Sequence, residues 1–197
     1  MLQPHVISPF PARPPRPRRQ SKATGAWLAA MALAASVSTA QAQDGGIAVG
    51  TAAPAAAVVT LDGKPANLSQ YLGKGPVVLE FWATWCPLCK QLEPAMAAAQ
   101  KEYKGRATFV SVGVADHQTA AAQRKVARER GLGGEFVFDR DGNAVKAYQA
   151  PHTSFLVVVD ADGKVVYTGA GGEQDVAAAV EKAFASGMMG QGMGGKP

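Results

Sequence analysis

The chain has 197 residues, with 20 Lys or Arg and 15 Asp or Glu, so its formal net charge is +5. The first 42 residues hold five of the basic residues and none of the acidic ones, which leaves 15 charges of each sign in the remainder. Because the charges balance, they give no reason to expect a nucleic-acid or anionic-membrane partner. The length suits one domain with a sizeable core.

The first 42 residues have the pattern of an export signal. A basic region at 13–22 precedes a short apolar run at 26–37, and residues 40–42 form a small-residue cleavage site. An uncleaved membrane anchor is the alternative, but the apolar run is shorter than the ~20 residues that span a bilayer. We therefore expect residues 1–42 to be a signal peptide cleaved after Ala42, and the protein to be periplasmic or otherwise extracytoplasmic.

The remaining chain is divided into a linker at 43–57, a folded domain at 58–186 and a disordered Gly/Met-rich tail at 187–197. Runs of apolar residues predict strands, and apolar residues three or four positions apart predict helices. In chain order, the predicted elements are a strand at 58–61, a helical turn at 68–72, a strand at 77–82, a helix at 87–103, a strand at 108–114, a helix at 119–130, a strand at 136–138, a hairpin of strands at 155–160 and 164–168, and a helix at 173–185.

Two of these elements define the predicted core. Residues 77–82 form a nearly continuous apolar run, typical of a central strand covered on both faces, although Glu80 interrupts it. The following helix carries apolar residues at Leu88, Leu92 and Met96, four positions apart. The order of elements predicts an α/β sandwich around a central mixed β-sheet flanked by helices, with two parallel crossovers and an antiparallel edge.

The only two cysteines of the chain, Cys86 and Cys89, are separated by two residues at the start of the 87–103 helix. This spacing allows a small disulfide, and the helix N-terminus favours a thiolate at Cys86. Thiolates are the species that attack disulfides. A structural staple is the alternative, but a bridge across so few residues removes little entropy from the unfolded chain. We therefore expect a redox-active pair with an accessible Cys86.

The sequence resembles the thioredoxin superfamily, and most closely its exported TlpA-like branch of thiol-disulfide oxidoreductases. The resemblance lies in LDGKPANLSQYLGKG at 61–75, VVLEFWATWCPLCKQLEP at 77–94 and YQAPHTSFLVVVDADGKVVYTGAG at 148–171. It implies a thioredoxin-like fold and a thiol-disulfide oxidoreductase without a dissociable cofactor. It also implies Cys86 as the nucleophile, Cys89 as the resolving cysteine and Pro151 as a cis-proline that faces them.

Five residues are assigned to substrate binding: Trp85, Pro87, Leu88, Ala150 and Pro151. A cis bond before Pro151 would hold the backbone of Ala150 beside the thiols, where it can pair with an extended substrate segment. From the residues alone, an ordinary loop proline is the alternative. Trp85 is expected to shield the thiol and contact partners. Pro87 and Leu88 carry no charge and no histidine, which favours a reductase.

Glu80 is assigned a catalytic role beside the two cysteines. It lies six positions before Cys86 in the predicted central strand, where burial would raise the pKa of its carboxyl group. Such a group can move a proton to or from Cys89 as the disulfide opens and closes. A glutamate that reaches water at the end of the sheet is the alternative. Glu93 is given no role, because related proteins with a helix glutamate place it one residue earlier.

Two other functions compete with this interpretation. A copper chaperone would use Cys86, Cys89 and His152, with Met188, Met189 and Met193 of the tail as further ligands. A solvent-facing loop histidine is an equally good interpretation of His152. A thiol peroxidase is the second alternative, but peroxiredoxins place a threonine three residues before the attacking cysteine, where this chain has Ala83. We expect no metal site and no cofactor.

The resemblance also indicates partners. It implies protein disulfide substrates, with apocytochrome c and copper-site assembly proteins among the candidates. The electrons of the protein would then come from a membrane-bound thiol donor. We expect no nucleic-acid partner and a monomer.

Overall fold

The structure is a computed structural model and describes residues 45–191, which belong to the compact unit Gln41–Pro197. The predicted signal peptide at 1–42 and the last six residues of the predicted tail lie outside the described residues. The strands are β1 (Ala57–Thr60), β2 (Pro65–Asn67), β3 (Val77–Trp82), β4 (Thr108–Val114), β5 (Glu135–Asp139), β6 (Phe155–Val159) and β7 (Val165–Ala170). The helices are α1 (Pro87–Glu102), α2 (Ala120–Glu129), α3 (Asn143–Ala147) and α4 (Val176–Gln191), with a 3-10 turn at Leu68–Gln70.

The strands form one mixed sheet in the order β2-β1-β5-β4-β3-β6-β7. The central strands β3, β4 and β5 are parallel, and α1 and α2 provide the two crossovers between them. On one side β6 and β7 pair antiparallel, and on the other β1 and β2 do so. The predicted α/β fold with a central mixed sheet and flanking helices is confirmed.

The central strand β3 divides the core into two faces because successive side chains of a strand point to opposite sides. Val77, Leu79 and Phe81 belong to the cluster that also contains residues of α3. Val78 belongs to the cluster formed with α1 and α4. Glu80 has the same parity as Val78 and therefore faces α1.

Helix α1 buries the predicted stripe except at its first position. Its buried residues are Cys89, Leu92, Met96 and Ala99, whereas Leu88 is 43% exposed. The spacing of three or four residues is preserved, but the stripe begins at the second cysteine. Cys89 therefore points into the protein, and Leu88 lies at the surface beside the disulfide.

The segment expected to be a linker packs against the domain. Ile47 is buried and its backbone N–H donates to the carbonyl oxygen of Tyr148 at 2.9 Å. Ala52 forms an isolated antiparallel bridge with Lys164. Single apolar residues among alanines and glycines carry no periodicity, so this attachment gives no sequence signal.

Three other elements differ from the predictions. The short β2 and α3 were not predicted, since three and five residues are too few to establish a period. Helix α4 continues to Gln191, beyond the predicted end at 185 and into the segment expected to be disordered. None of the helices described between residues 45 and 191 combines the length and the apolar character needed to cross a lipid bilayer.

Candidate active site

The two cysteines form a disulfide where β3 gives way to α1. Their Cα atoms are 5.3 Å apart, within the usual range for a disulfide. Cys86 is the N-cap residue of α1, and its Sγ accepts a hydrogen bond from the backbone N–H of Cys89 at 3.1 Å. Pro87 occupies the first turn, where its missing N–H costs no hydrogen bond. The helix N-terminus thus stabilises negative charge on the sulfur of Cys86.

The expectation of an accessible Cys86 is wrong for this disulfide form. Cys86 and Cys89 are only 5% and 3% exposed, whereas the neighbouring Trp85 and Leu88 are 48% and 43% exposed. The two cysteines form a buried cluster with Trp82, the last residue of β3, and Ala83. These two residues cover the inner side of the disulfide. Trp85 and Leu88 are therefore the exposed apolar side chains next to the buried sulfur bridge.

Hydrogen bonds fix the segment before Cys86. The indole Nε1 of Trp85 donates to the carbonyl oxygen of Asp116 at 2.8 Å. The backbone N–H of Thr84 donates to Oε1 of Gln118 at 2.9 Å, while Nε2 of Gln118 donates to the carbonyl oxygens of Trp82 and Val114. Gln118 thus joins the ends of β3 and β4. No sequence pattern indicated this role.

One groove, which we call the Trp85 groove, brings together three of the five residues predicted to bind substrate. It has a volume of about 390 Å³, and Trp85, Ala150 and Pro151 line it. Its other lining residues are Val114, Asp116, Val145, His152 and Thr153. Pro87 and Leu88 are exposed on the first turn of α1 and are not part of its lining. The groove offers an apolar surface beside the disulfide.

The prediction of a cis-proline at Pro151 is wrong. No peptide bond within residues 45–191 is cis, so the Ala150–Pro151 bond is trans. The chain turns instead at Gln149 and Ser154, whose φ angles are 51° and 59°. Three residues, 152–154, separate Pro151 from β6, so the chain can turn there without a cis bond. A trans bond is also the preferred isomer of a linkage to proline.

Buried polar contacts hold this loop against the sheet. The backbone N–H of Ser154 donates to the carbonyl oxygen of Phe81 at 2.8 Å, and its hydroxyl donates to that of Gly171 at 2.9 Å. Nε2 of Gln174 donates to the carbonyl oxygens of Ser154 and Gly171 at 3.2 and 2.8 Å. Gln174, which the sequence did not identify, therefore fixes one wall of the Trp85 groove.

A second cavity, which we call the Glu80 cavity, lies behind the disulfide. It has a volume of about 360 Å³, and Glu80, Cys89, Glu93 and Arg130 line it. Its other lining residues are Trp82, Pro94, Met96, Ala97, Gln100, Ser111, Gly131, Leu132 and Gly133. The structure thus brings the predicted acid, Glu80, and the predicted resolving cysteine, Cys89, to one cavity.

Glu80 is 8% exposed, so the prediction that this carboxyl group is buried is confirmed. Burial raises its pKa from 4.5 to about 8, and the nearby carboxylate of Glu93 is the second cause. Within the part of the chain that the structure describes, no protein group donates a hydrogen bond to the Glu80 carboxyl. The group is therefore largely protonated at neutral pH and faces the cavity that it shares with Cys89.

Glu93, which was given no role, lies one helical turn after Cys89 and lines the same cavity. Its Oε1 accepts a hydrogen bond from Nη1 of Arg130 at 2.7 Å. Nη2 of Arg130 also donates to the carbonyl oxygen of Thr84 at 3.4 Å. Arg130 is the C-cap residue of α2, and it lies 37 positions after Glu93, so the pair leaves no sequence pattern.

The residues proposed as copper ligands do not form a recognisable site. Among residues 45–191, no group of three or more His, Cys, Asp or Glu side chains is placed to hold a metal ion. His152 lines the Trp85 groove and contacts the carbonyl oxygen of Thr153 through Nδ1 at 2.8 Å. The side chains of the tail methionines lie outside the described part of the structure.

Comparison with known proteins identifies this arrangement. The model of the Redoxin family matches residues 48–183, which is more than half of the chain. The chain belongs to the Redoxin family. This membership confirms the resemblance to the thioredoxin superfamily and its TlpA-like branch.

Two relatives of this chain are both thiol-disulfide oxidoreductases named ResA. A thiol-disulfide oxidoreductase ResA of Geobacillus kaustophilus is 32% identical over 133 residues, which cover 66% of this chain and 75% of the relative. A thiol-disulfide oxidoreductase ResA of Bacillus thuringiensis subsp. konkukian is 31% identical over 118 residues, which cover 60% and 67%. With the Cys86–Cys89 pair, these relatives show that the protein is a thiol-disulfide oxidoreductase.

Solved structures confirm the thioredoxin-like fold. A thiol:disulfide interchange protein of the thioredoxin family from Chlorobium tepidum is 25% identical with a TM-score of 0.56, and the match covers 71% of this chain and 97% of that one. A secreted disulfide oxidoreductase of Mycobacterium tuberculosis, homologous to DsbE of E. coli, is 25% identical with a TM-score of 0.55, and the match covers 64% and 93%.

Proposed function

We propose that the protein is an exported reductase of protein disulfides that acts through dithiol-disulfide exchange at the WCPLC motif. The observation that carries this proposal is the position of the disulfide. It lies at the N-terminus of α1, near the apolar Trp85 groove on one side and against the Glu80 cavity on the other. One side suits a protein partner, and the other suits proton transfer to the inner cysteine.

In the first step, the Cys86 thiolate attacks one sulfur of the partner disulfide. A mixed disulfide forms, and the second partner sulfur leaves as a thiolate that takes a proton from water. The α1 N-terminus lowers the energy of the attacking thiolate through its unpaired N–H groups and its dipole. The direction is that of a reductase, since Pro87 and Leu88 contribute neither a charge nor a histidine.

In the second step, which occurs in the fraction of molecules whose Glu80 is ionised, Cys89 loses its proton to the Glu80 carboxylate and attacks the sulfur of Cys86. The mixed disulfide breaks, the partner leaves with both sulfurs reduced, and the protein keeps the Cys86–Cys89 disulfide. When a donor dithiol later opens that disulfide, Cys89 leaves as a thiolate and recovers the proton from Glu80. A carboxyl group with a pKa of about 8 suits this exchange, because it both holds and releases protons near neutral pH.

The Trp85 groove is the proposed site for the partner's polypeptide. Trp85, Ala150 and Pro151 form its wall, and Pro87 and Leu88 extend the apolar surface past the disulfide. Protein disulfide substrates suit this surface, because the buried centre of a protein interface is apolar and rich in aromatic side chains.

Export and reduction by a membrane-bound thiol donor complete the proposal. They rest on the signal pattern at 1–42 and on the need to restore the dithiol after each cycle. If the signal is cleaved after Ala42, the protein recovered from the exported fraction begins at Gln43, which intact-mass measurement tests. An exported protein that retains residues 1–42 would contradict this part of the proposal.

Trapping tests the exchange reaction. In a Cys89→Ser variant the second step cannot occur, so Cys86 should retain its partner as a mixed disulfide that mass spectrometry identifies. The Cys86→Ser variant is the matched control and should trap nothing. Equal trapping by both variants, or by neither, would contradict the assigned roles.

A further inference from the structure

An ion pair lies at the solvent side of the Glu80 cavity. The side chains of Arg130 and Glu93 are 30% and 25% exposed, whereas Glu80 and Cys89, which line the same cavity, are buried. The pair thus lies nearer to bulk water than the carboxyl group of Glu80 and the sulfur of Cys89. Because it is only partly exposed, it is screened less than an ordinary surface salt bridge.

The Arg130 side chain joins three segments around the disulfide. Its Nη1 donates to Glu93 on α1 at 2.7 Å, and its Nη2 donates to the carbonyl oxygen of Thr84 at 3.4 Å. Arg130 itself ends α2, and Thr84 lies two residues before Cys86. One guanidinium group therefore links the end of α2, the second turn of α1 and the segment that leads into the nucleophile.

The charged and titratable groups around Glu80 are few. Helix α1 contributes Cys89 and Glu93 to the cavity, α2 contributes Arg130, and β4 contributes the uncharged Ser111. Two carboxylates that line one cavity repel each other, and the Glu93 carboxylate adds to the raised pKa of Glu80. The position of Glu93 therefore affects how readily Glu80 accepts a proton from Cys89.

We propose that Arg130 is a positioning residue of the thiol chemistry: it holds the Glu93 carboxylate at the solvent side of the cavity and thereby leaves Glu80 as the carboxyl that exchanges a proton with Cys89. This inference rests on the proposed role of Glu80. Arg130 acts through Glu93, and its contact with Thr84 fixes the ion pair relative to the segment that leads into Cys86.

The inference makes opposite predictions for the two partners of the ion pair. In Arg130→Gln, the Glu93 carboxylate is no longer held outward, so Glu80 should keep its proton to a higher pH. In Glu93→Gln, the repelling charge is gone, so Glu80 should lose its proton at a lower pH. If Arg130 acts through Glu93, the effect of Arg130→Gln should disappear in the Glu93→Gln background.

The first measurement is a carbon-13 NMR titration of the Glu80 carboxyl in the oxidised protein, where no thiol titrates. We expect the midpoint to rise by about 0.5 pH unit or more in Arg130→Gln and to fall by a similar amount in Glu93→Gln. Arg130→Lys should shift it less than Arg130→Gln, because it keeps the charge. The control Lys125→Gln removes an exposed cation from the same helix and should shift nothing.

The second measurement is the pH dependence of the Cys89 attack on a preformed mixed disulfide between Cys86 and a small aromatic thiol, followed by release of that thiol. Arg130→Gln should move the profile in the same direction as the Glu80 midpoint. A loss of local structure would lower the rate at every pH without moving the profile.

Two results would overturn the inference. The first is an unchanged Glu80 midpoint in Arg130→Gln. The second is an equal shift in the native and Glu93→Gln backgrounds, which would show that Arg130 acts through its own charge. Failure of the underlying proposal is distinguishable: if Glu80→Gln keeps the wild-type profile, the proton-transfer role of Glu80 fails, and this inference fails with it. If Glu80→Gln loses the profile while Arg130→Gln keeps it, only the inference about Arg130 fails.

Discussion

The buried carboxyl group of Glu80 predicts an unusual dependence of stability on pH. Its pKa is about 8 in the folded protein and 4.5 in an ordinary environment. The folded state therefore binds more protons than the unfolded state between these values, so the contribution of Glu80 to stability declines as pH rises through this window. Well below pH 4.5, Glu80 is protonated in both the folded and the unfolded state, so its contribution to stability no longer changes with pH.

The magnitude follows from the two pKa values. The full loss, reached at pH values above both, is about 5 kcal/mol, and the part that falls between pH 5 and pH 9 is about 4 kcal/mol. Glutamine at position 80 cannot ionise, so Glu80→Gln escapes this loss. The free energy of unfolding of the variant, minus that of the parent, should thus increase by about 4 kcal/mol from pH 5 to pH 9.

The assay is urea unfolding of the oxidised proteins at several pH values, monitored by tryptophan fluorescence. Groups other than Glu80 titrate equally in both proteins, so their contributions cancel in the difference. Glu129→Gln, which alters an exposed glutamate of α2, is the control and should parallel the parent. A difference between Glu80→Gln and the parent that stays constant with pH would refute the claim that Glu80 is buried as a protonated acid.

Three further substitutions test other parts of the site. Trp85→Ala should lower kcat/KM for a disulfide-bonded protein about tenfold, mainly through KM, with little change in Tm, because the exposed ring forms a wall of the groove; an unchanged KM would contradict this. Gln174→Met removes the amide that donates to the carbonyl oxygens of Ser154 and Gly171, each of which keeps one other donor, and should cost about 0.5–1.5 kcal/mol in urea unfolding; full stability would be inconsistent with a role in fixing the loop. Gly113→Ala places a methyl group against the buried Gln123 side chain and should lower the free energy of unfolding by about 1–3 kcal/mol. An unchanged free energy of unfolding would show that Gln123 can move.

The long elements of the fold could be predicted because burial on both faces leaves a clear record in sequence. Strands β3 and β4 have the predicted bounds, 77–82 and 108–114, since each is a nearly continuous apolar run. Helix α1 was predicted to within one residue at its end. By contrast, β2 and α3 have too few residues to repeat a pattern, and the attachment of Ile47 depends on one apolar side chain.

The candidate site could be predicted in part. The positions of Cys86, Cys89 and Glu80 follow from one strand and the helix after it, and the structure places the last two in one cavity. Their catalytic roles stay predictions until variants are measured. Arg130 and Gln174 escaped notice because each meets the site through contacts distant in sequence, which composition and periodicity do not record. The trans bond before Pro151 was missed because the prediction rested on resemblance alone.

The most direct test of the central claim is the stopped-flow rate at which the reduced protein cleaves a disulfide-bonded peptide that carries a fluorophore pair. The account predicts a fast reaction that oxidises one Cys86–Cys89 pair for each peptide reduced, and no reaction in Cys86→Ala. Residual activity of Cys86→Ala equal to that of the parent would contradict the account, because the attacking sulfur would then be elsewhere.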